Sequence, residues 1–367
     1  MMRVFKLLAL FLAIMTGAAL CLASAAAAEP RPVGERHLET SNPTAALRDD
    51  QHRPLVRITV WYPAAEGSVE QSLDLGPAGQ PMFYVGSSAP DALFADSRRR
   101  PVILFSHGFG GTARMMGWFT TVMAQQGYIV IAVDHPGANG LDKMTVAGGT
   151  MFWDRPGDLE AALEKVKSDP AISAHMDLKR LGVAGFSAGG FTALAAAGAR
   201  VDMKHFTDFC ASHPDDGVCK PQQEFPVTLD KAMEALNSPE LAAEVKHAGD
   251  DHSIRGVRAA FAMAPAIIQA MDPASLTAMN TPVAIILGDA DPVAPPHTNG
   301  GVAARAIPRA QLKALPGVGH YDFLSTCSAA ARQAVPLCGA ITVPQGQSHF
   351  EALQMALNFF GATMGPP

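Results

Sequence analysis

The chain has 367 residues, of which 48% are hydrophobic and 17% are charged, and its formal net charge at pH 7 is −6. This length is sufficient for one large α/β domain with a sizeable core. The acidic balance and the absence of any long block of like charge argue against nucleic acid as a partner.

The first 28 residues have the composition of a secretory signal peptide. A basic start is followed by an apolar run over 7–22 and by alanine-rich cleavage sites before Glu29. The run is short and ends in small residues, which disfavours a stable membrane anchor. We expect cleavage near Glu29 and export of a catalytic domain over 29–367 to the periplasm or the medium.

Strand and helix patterns alternate along the mature chain. Residues 29–50 are polar and predict a loosely held lead-in, and 67–100 predict mostly loop. Apolar and polar residues alternate over 55–62, which predicts a half-buried strand. Further strands are predicted at 102–105, 128–133, 181–185, 257–263, 282–287 and 311–315, and helices at 115–125, 158–167, after 187 to about 199, and 350–360. This order predicts a mostly parallel sheet with helices on both faces.

One segment, 201–255, interrupts the alternation. It carries two cysteines, many charges and a short helical pattern over 229–236. Two interpretations stay open: an insertion that covers the active-site edge, or a surface excursion without a catalytic role.

The motif Gly185-Phe186-Ser187-Ala188-Gly189 follows a predicted strand and opens a predicted helix. This is the pattern of a nucleophile elbow, in which the serine stands on a strained turn at the sheet edge. Gly185 and Gly189 leave room for strand and helix to pass closely. The pattern predicts Ser187 as a nucleophile and the Ala188 N–H as a donor to developing negative charge.

The elbow and three other segments resemble one group of proteins. They read LVRITVWYP (55–63), SHGFGG (106–111), YIVIAVDHPG (128–137) and GFSAGG (185–190). Together they resemble the α/β-hydrolases that include platelet-activating-factor acetylhydrolases and exported bacterial dienelactone-hydrolase-like enzymes. By the same four segments, polyester hydrolases and cutinases are more distant relatives.

The resemblance covers roughly 55–361 apart from the insertion. It implies an α/β-hydrolase fold and hydrolysis of esters. Dienelactone hydrolases proper use a cysteine nucleophile, whereas this elbow carries Ser187. The resemblance therefore does not imply their substrate for this chain.

A serine nucleophile needs a base and an orienting acid, which follow in the order serine, acid, histidine in this fold. His320 lies in a glycine-rich turn after the last predicted strand and is the expected base. His297 is too close in sequence to the acid, and His349 begins the last predicted helix, where it caps or packs.

Two carboxylates qualify as the acid, Asp289 and Asp291. In related hydrolases the acid usually stands directly before a Pro-Val step, which favours Asp291. Asp289 has the alternative role of a turn residue that bonds its own backbone.

The loop after the 102–105 strand is expected to complete an oxyanion hole. The resemblance places the second donor at the Phe109 N–H, with Gly108 and Gly110 allowing the backbone to face inward. His107 and His135 are interpreted as locally hydrogen-bonded side chains. Apolar residues over 115–119 favour a helix stripe packed on the sheet over an acyl pocket.

Four cysteines remain after the signal peptide: Cys210, Cys219, Cys327 and Cys338. An even number in an exported chain indicates two disulfides, for which three pairings exist. The local pairing, Cys210–Cys219 and Cys327–Cys338, is the simplest. Neither spacing is typical of a structural zinc site.

These features predict a serine hydrolase that cleaves carboxylic esters through an acyl-enzyme, with no metal or cofactor. The expected partner is a small-molecule or lipid-like ester. A lipase- or polyester-hydrolase-like enzyme, a serine peptidase and a catalytically silent binding protein are the alternatives. The sequence leaves the acyl chain, the alcohol and the oligomeric state open.

Overall fold

The structure, a computed structural model, describes residues 31–367. The proposed signal peptide over 1–28 lies outside the described residues. Within 31–367 no helix combines the length and the apolar character needed to cross a membrane.

The strands form a ten-stranded sheet and a small two-stranded sheet, and apolar runs supply the central strands of the large one. The strands are β1 Val33–Ser41, β2 Leu55–Pro63, β3 Gln71–Ser72, β4 Phe83–Tyr84, β5 Ser87–Pro90, β6 Arg100–Ser106, β7 Ile129–Asp134, β8 Met176–Phe186, β9 Val257–Met263, β10 Val283–Gly288, β11 Ala310–Leu315 and β12 Thr326–Cys327.

The large sheet has the order β11-β10-β9-β8-β6-β7-β2-β1-β5-β3. Strands β6 to β11 run parallel, whereas β2 is antiparallel to both β7 and β1. The carboxyl ends of β6, β8, β10 and β11 therefore meet at one edge, which is where ligands bind in folds of this class.

Helices cover both faces of this sheet, as the sequence predicts. They are α1 Ala45–Arg48, α2 Gly117–Gln125, α3 Val146–Thr150, α4 Arg155–Lys167, α5 Pro170–Ser173, α6 Ala188–Ala196, α7 Met203–Ser212, α8 Leu229–Leu236, α9 Ala242–Val245, α10 Pro273–Ala278, α11 Gly300–Ala306, α12 Ala329–Ala334, α13 Pro336–Gly339 and α14 Gln345–Met364. Helices α4, α6 and α11 pack on one face and α2 and α14 on the other.

The apolar stripe of α2 and of the 3₁₀ turn before it, Arg114–Met116, belongs to the core. Met116, Trp118 and Phe119 are buried among residues of the sheet and α14. This agrees with the predicted helix stripe, and none of the three lines the pocket at Ser187.

The predicted loosely held lead-in over 29–50 is wrong, because the segment contains strand β1 and the short helix α1. Val33–Ser41 pairs with Leu55–Pro63 in antiparallel register along its whole length. The segment has few apolar residues, so it shows no strand periodicity. Backbone pairing and the buried Glu35, which accepts a hydrogen bond from Trp61 Nε1 at 3.0 Å, fix it instead.

Strand β2 is more deeply buried than the predicted half-buried strand. Val56, Ile58 and Val60 belong to the core on one face, as the alternation predicts. Trp61, however, is fully buried in the core on the other face. Helix α2 packs on this second face and shields it from water, while β1 pairs along the edge of β2.

The cysteines have the local pairing. Cys210 bonds Cys219 with their Cα atoms 5.4 Å apart, and Cys327 bonds Cys338 with their Cα atoms 5.9 Å apart. The first bond lies inside the 201–255 insertion, where it ties α7 to a 3₁₀ turn over Gly217–Cys219.

Candidate active site

Ser187 stands between the end of β8 and the start of α6. Its backbone has φ 55° and ψ −120°, a conformation that non-glycine residues rarely adopt. A side chain at Gly185 would collide with the Gly189 backbone, and a side chain at Gly189 would collide with the Ser106 carbonyl. Both glycines are therefore needed for the close passage of strand and helix at this turn.

Loops at the same sheet edge bring His320 and Asp291 to the serine. His320 Nε2 lies 2.8 Å from Ser187 Oγ, and His320 Nδ1 lies 2.6 Å from Asp291 Oδ2. The exposed fractions are 4% for Ser187, 2% for His320 and 4% for Asp291. Burial lowers the pKa of His320, but the Asp291 carboxylate outweighs it, so the pKa is raised above the ordinary value.

The two candidate acids have different partners. Asp291 uses Oδ2 for His320, while its Oδ1 accepts the Val293 and Ala294 N–H groups at 2.8 Å each. Asp289 accepts the Gly317 N–H at 2.7 Å and thereby joins two loops. The structure brings Asp291, and not Asp289, to the histidine.

The other downstream histidines lie elsewhere. His297 is exposed in the loop before α11. His349 stacks on Trp118 with ring centroids 3.8 Å apart, and its Nε2 lies 2.8 Å from the Leu324 carbonyl. Burial lowers the pKa of His349 to about 4, so it packs as a neutral side chain.

Two backbone N–H groups are available beside Ser187. Within 31–367, neither the Phe109 N–H nor the Ala188 N–H donates a hydrogen bond to another group. A Cβ atom at Gly108 would lie 3.2 Å from the Ser187 Cβ atom, which shows how closely the loop lies on the elbow. The arrangement suits an oxyanion hole, which needs unpaired backbone donors next to the nucleophile.

A second serine–histidine–aspartate network lies beneath this loop. His135 Nε2 lies 2.8 Å from Ser106 Oγ, and His135 Nδ1 lies 2.9 Å from Asp158 Oδ2. Arg48 donates two hydrogen bonds to Asp158, each at 2.8 Å. All these side chains are buried, so substrate has no access to them.

The charges in this network are fixed by burial and pairing. Burial, with Arg155 nearby, lowers the pKa of His135 to about 3, so the imidazole is neutral. Arg48 and His135 hold the pKa of Asp158 below its usual range against the effect of burial. Sequence reasoning correctly treats His135 as locally satisfied, but it misses Asp158 and Arg48, since neither lies in a recognisable motif.

His107 also has the predicted structural role. Its Nδ1 donates to the Gly108 carbonyl at 2.5 Å, and its Nε2 accepts the His135 N–H at 3.0 Å. Arg155 donates to the His107 carbonyl. The backbone before Phe109 is thus anchored from both sides.

A pocket opens at Ser187. Phe109, Phe152, Ile267 and Val293 form its wall on the side of the sheet. The 201–255 insertion supplies much of the rest, including Met203, Phe206, Phe225, Leu229, Met233 and Leu236. Of the two interpretations of this segment, the structure has the insertion over the active-site edge.

The insertion also contacts the loop of the histidine. Tyr321 donates its hydroxyl hydrogen to Glu224 Oε2 at 2.8 Å. Sequence analysis identifies neither residue as part of the site, because a contact between segments 97 positions apart leaves no local pattern.

Residues 103–333 match the sequence model of the alpha/beta hydrolase family. The chain belongs to the alpha/beta hydrolase family. This agrees with the predicted fold and, more broadly, with the resemblance; the match does not distinguish the acetylhydrolase-like group. No curated protein matches the sequence of this hydrolase.

Three solved structures are similar to this hydrolase, and the first of them shares its fold. A ferulic acid esterase from Streptomyces cinnamoneus superposes with a TM-score of 0.60 at 18% identity, covering 93% of this chain and 92% of that one. Thermogutta terrifontis esterase 2 gives 0.46 at 16% identity and covers 87% and 92%. A puromycin-hydrolysing peptidase of Mycobacterium tuberculosis gives 0.49 at 14% identity and covers 91% and 40%.

Proposed function

We propose that this hydrolase cleaves carboxylic esters through an acyl-enzyme on Ser187. The observation that carries the proposal is the pair of short contacts of His320, at 2.8 Å to Ser187 and at 2.6 Å to Asp291. A nucleophile whose base is held by a third group is the arrangement that acyl transfer requires.

The proposed reaction has two halves. Ser187 Oγ attacks the ester carbonyl while His320 Nε2 accepts the hydroxyl proton, and the Phe109 and Ala188 N–H groups bind the oxyanion. The tetrahedral intermediate expels the alcohol, which takes the proton from His320. Water then gives a proton to His320, attacks the acyl-enzyme and releases the carboxylic acid, and the proton returns to Ser187.

Asp291 acts through the histidine. Its carboxylate holds the Nδ1–H tautomer, in which Nε2 is free to accept the serine proton, and it stabilises the imidazolium that follows. The raised pKa of His320 fits this role, since it shows that the site favours the cation.

The pocket supports an ester with an apolar group. Aromatic and aliphatic side chains dominate its lining, and the insertion encloses it. The similar Streptomyces fold is named as a ferulic acid esterase, which supports the same reaction class. The residues of the insertion that line the pocket favour a small ester over a large, insoluble polyester, whose surface needs an open site.

We also propose that the protein is exported. The composition of residues 1–28 and the two disulfides support export, since disulfides persist in oxidising compartments. Cleavage of the precursor near Glu29, read by N-terminal sequencing of the mature protein, is the corresponding test.

A series of 4-nitrophenyl esters tests the proposed activity. Wild-type protein and Ser187→Ala are compared on esters from acetate to dodecanoate. We expect hydrolysis by wild type and a loss of ~10⁴-fold or more in the variant, whose thermal unfolding stays unchanged. Equal rates for the two proteins would show that Ser187 is not the nucleophile.

A further inference from the structure

Glu224 bridges the two loops that form the reactive centre. Its Oε2 accepts the hydroxyl of Tyr321, the residue directly after His320. On the other side, a Cβ atom at Gly110 would lie 3.2 Å from the Glu224 Cβ atom, so Glu224 packs on the loop that carries Phe109. A single residue of the insertion therefore contacts both loops.

The carboxylate of Glu224 is not neutralised by these contacts. Its hydrogen-bond partner is a phenol, and within 31–367 no Lys, Arg or His forms an ion pair with it. Lys220 also lines the pocket, but its ammonium lies 3.2 Å from Asp215 and is half exposed. Within 31–367, Glu224 is therefore a pocket-lining carboxylate without an ion-pair partner.

This charge acts where the alcohol of an ester must lie. The leaving oxygen takes its proton from His320 Nε2, so the alcohol is placed beside His320 in the transition state. Glu224 is close to this position, because it is hydrogen-bonded to Tyr321, the residue next to His320, and its charge also helps to raise the pKa of His320. In a half-buried site, a charge several ångströms away is only weakly screened by water.

We propose that Glu224 determines specificity by selecting against esters whose alcohol part carries a negative charge, so that the enzyme takes neutral or cationic alcohols. This inference rests on the proposed ester hydrolysis. It follows from the position of the carboxylate between Gly110 and Tyr321 and from the side on which the alcohol leaves.

Three aryl butyrates have the same acyl group and phenols of similar size, but the phenols differ in charge. They therefore test the charge of the leaving alcohol apart from its size. They are 4-carbamoylphenyl butyrate, which is neutral, 4-carboxyphenyl butyrate, which is anionic, and 3-(trimethylammonio)phenyl butyrate, which is cationic. The measured quantity is the ratio of kcat/KM for the anionic ester to that for the neutral ester, because the ratio cancels general damage to the site.

Two variants separate the effect of the negative charge of Glu224 from that of its hydrogen bond to Tyr321. Glu224→Gln keeps an acceptor for the Tyr321 hydroxyl and removes the charge, whereas Tyr321→Phe removes the hydrogen bond and keeps the charge. Glu240→Gln, at an exposed position of the same insertion, is the control for net charge. Thermal unfolding shows that each variant is folded.

We expect Glu224→Gln to raise the anionic-to-neutral ratio about tenfold, which corresponds to about 1.4 kcal/mol, and to lower the cationic-to-neutral ratio. Tyr321→Phe and Glu240→Gln keep both ratios within about twofold of wild type. In wild type, higher salt raises the anionic-to-neutral ratio, which tests the charge without any substitution.

A ratio that is unchanged in a folded Glu224→Gln variant and insensitive to salt in wild type would overturn the inference while leaving ester hydrolysis intact. A larger change of the anionic-to-neutral ratio in Tyr321→Phe than in Glu224→Gln would also overturn the inference, since it would show that the hydrogen bond, and not the charge, determines the ratio. If wild type cleaves none of the three esters or the nitrophenyl series, the proposed function fails and the inference fails with it.

Discussion

His320 Nδ1 lies 2.6 Å from Asp291 Oδ2, although 29 positions separate the two residues in the chain. The contact joins the loop after β10 to the loop after β11, and these strands are parallel neighbours in the sheet. The orienting carboxylate is thus placed by backbone pairing. Its remaining oxygen is held by two N–H groups, so it has little freedom to turn away.

Exchanging the two candidate acids for amides separates catalysis from loop stability. Asp291→Asn should reduce turnover by ~10³–10⁴-fold with little change in fold, because an amide favours the wrong histidine tautomer. Asp289→Asn should reduce the free energy of unfolding by about 1 kcal/mol, because it weakens the bond to the Gly317 N–H. Steady-state kinetics and urea unfolding measure both effects. A larger loss of turnover in Asp289→Asn would contradict the assignment.

The raised pKa of His320 sets the acidic limb of the pH profile. The imidazole must be neutral to accept the Ser187 proton, so kcat/KM falls as pH drops through this pKa. We expect the midpoint above pH 6.5, the ordinary value for histidine. Glu224→Gln should move the midpoint to lower pH, because one of the carboxylates facing His320 is neutralised. A midpoint below 6.5 in wild type would show that Asp291 does not stabilise the cation.

Removing the charge of Asp158 should destabilise the protein severely. Asp158→Asn leaves the buried guanidinium of Arg48 with only the more distant Asp154 carboxylate, at 3.7 Å, and breaking a buried ion pair typically costs about 3–5 kcal/mol. The control is Asp177→Asn, which breaks a more exposed pair with Arg180 and should cost less than about 1 kcal/mol. Urea unfolding at pH 7 measures both.

The pH dependence of this contribution has a definite sign. The pKa of Asp158 is depressed in the folded protein, so its stabilisation is fully present above the pKa of the unfolded chain and is lost as pH falls through the folded value. The stability difference between wild type and Asp158→Asn should therefore shrink only in strong acid. A difference that is small at pH 7 would show that the network contributes little.

The disulfide pairing is tested by mass spectrometry of non-reduced digests. Protein from its native compartment should give the cross-linked peptides Cys210–Cys219 and Cys327–Cys338 and no free thiol among these four. In the chain-entropy model, loops of this length contribute roughly 2–3 kcal/mol each. Four free thiols would contradict both the pairing and export.

The parts of the fold with strong local patterns could be predicted from the sequence. The continuous apolar runs in β6 and β10 and the glycines around Ser187 each determine a local conformation, so these strands and the elbow follow from short segments. The residues alone limit the orienting acid of the site to Asp289 or Asp291 but do not decide between the two. Their difference lies in contacts with another loop.

The features that were missed depend on pairing across the chain. Strand β1 has a polar sequence and forms because β2 offers it a partner. Asp158 reads as an ordinary residue of an amphipathic helix, yet it is buried against Arg48 from a segment 110 positions earlier. Glu224 lies in an irregular stretch, where periodicity gives no indication of which side faces Ser187.

Labelling with a fluorophosphonate probe tests the central claim, that Ser187 is a nucleophile activated by His320, most directly. Intact mass should show one adduct per chain, and peptide mapping should place it on Ser187. His320→Ala should slow the labelling by orders of magnitude, and Ser187→Ala should abolish it. An adduct on another residue, or labelling that does not depend on His320, would contradict the account.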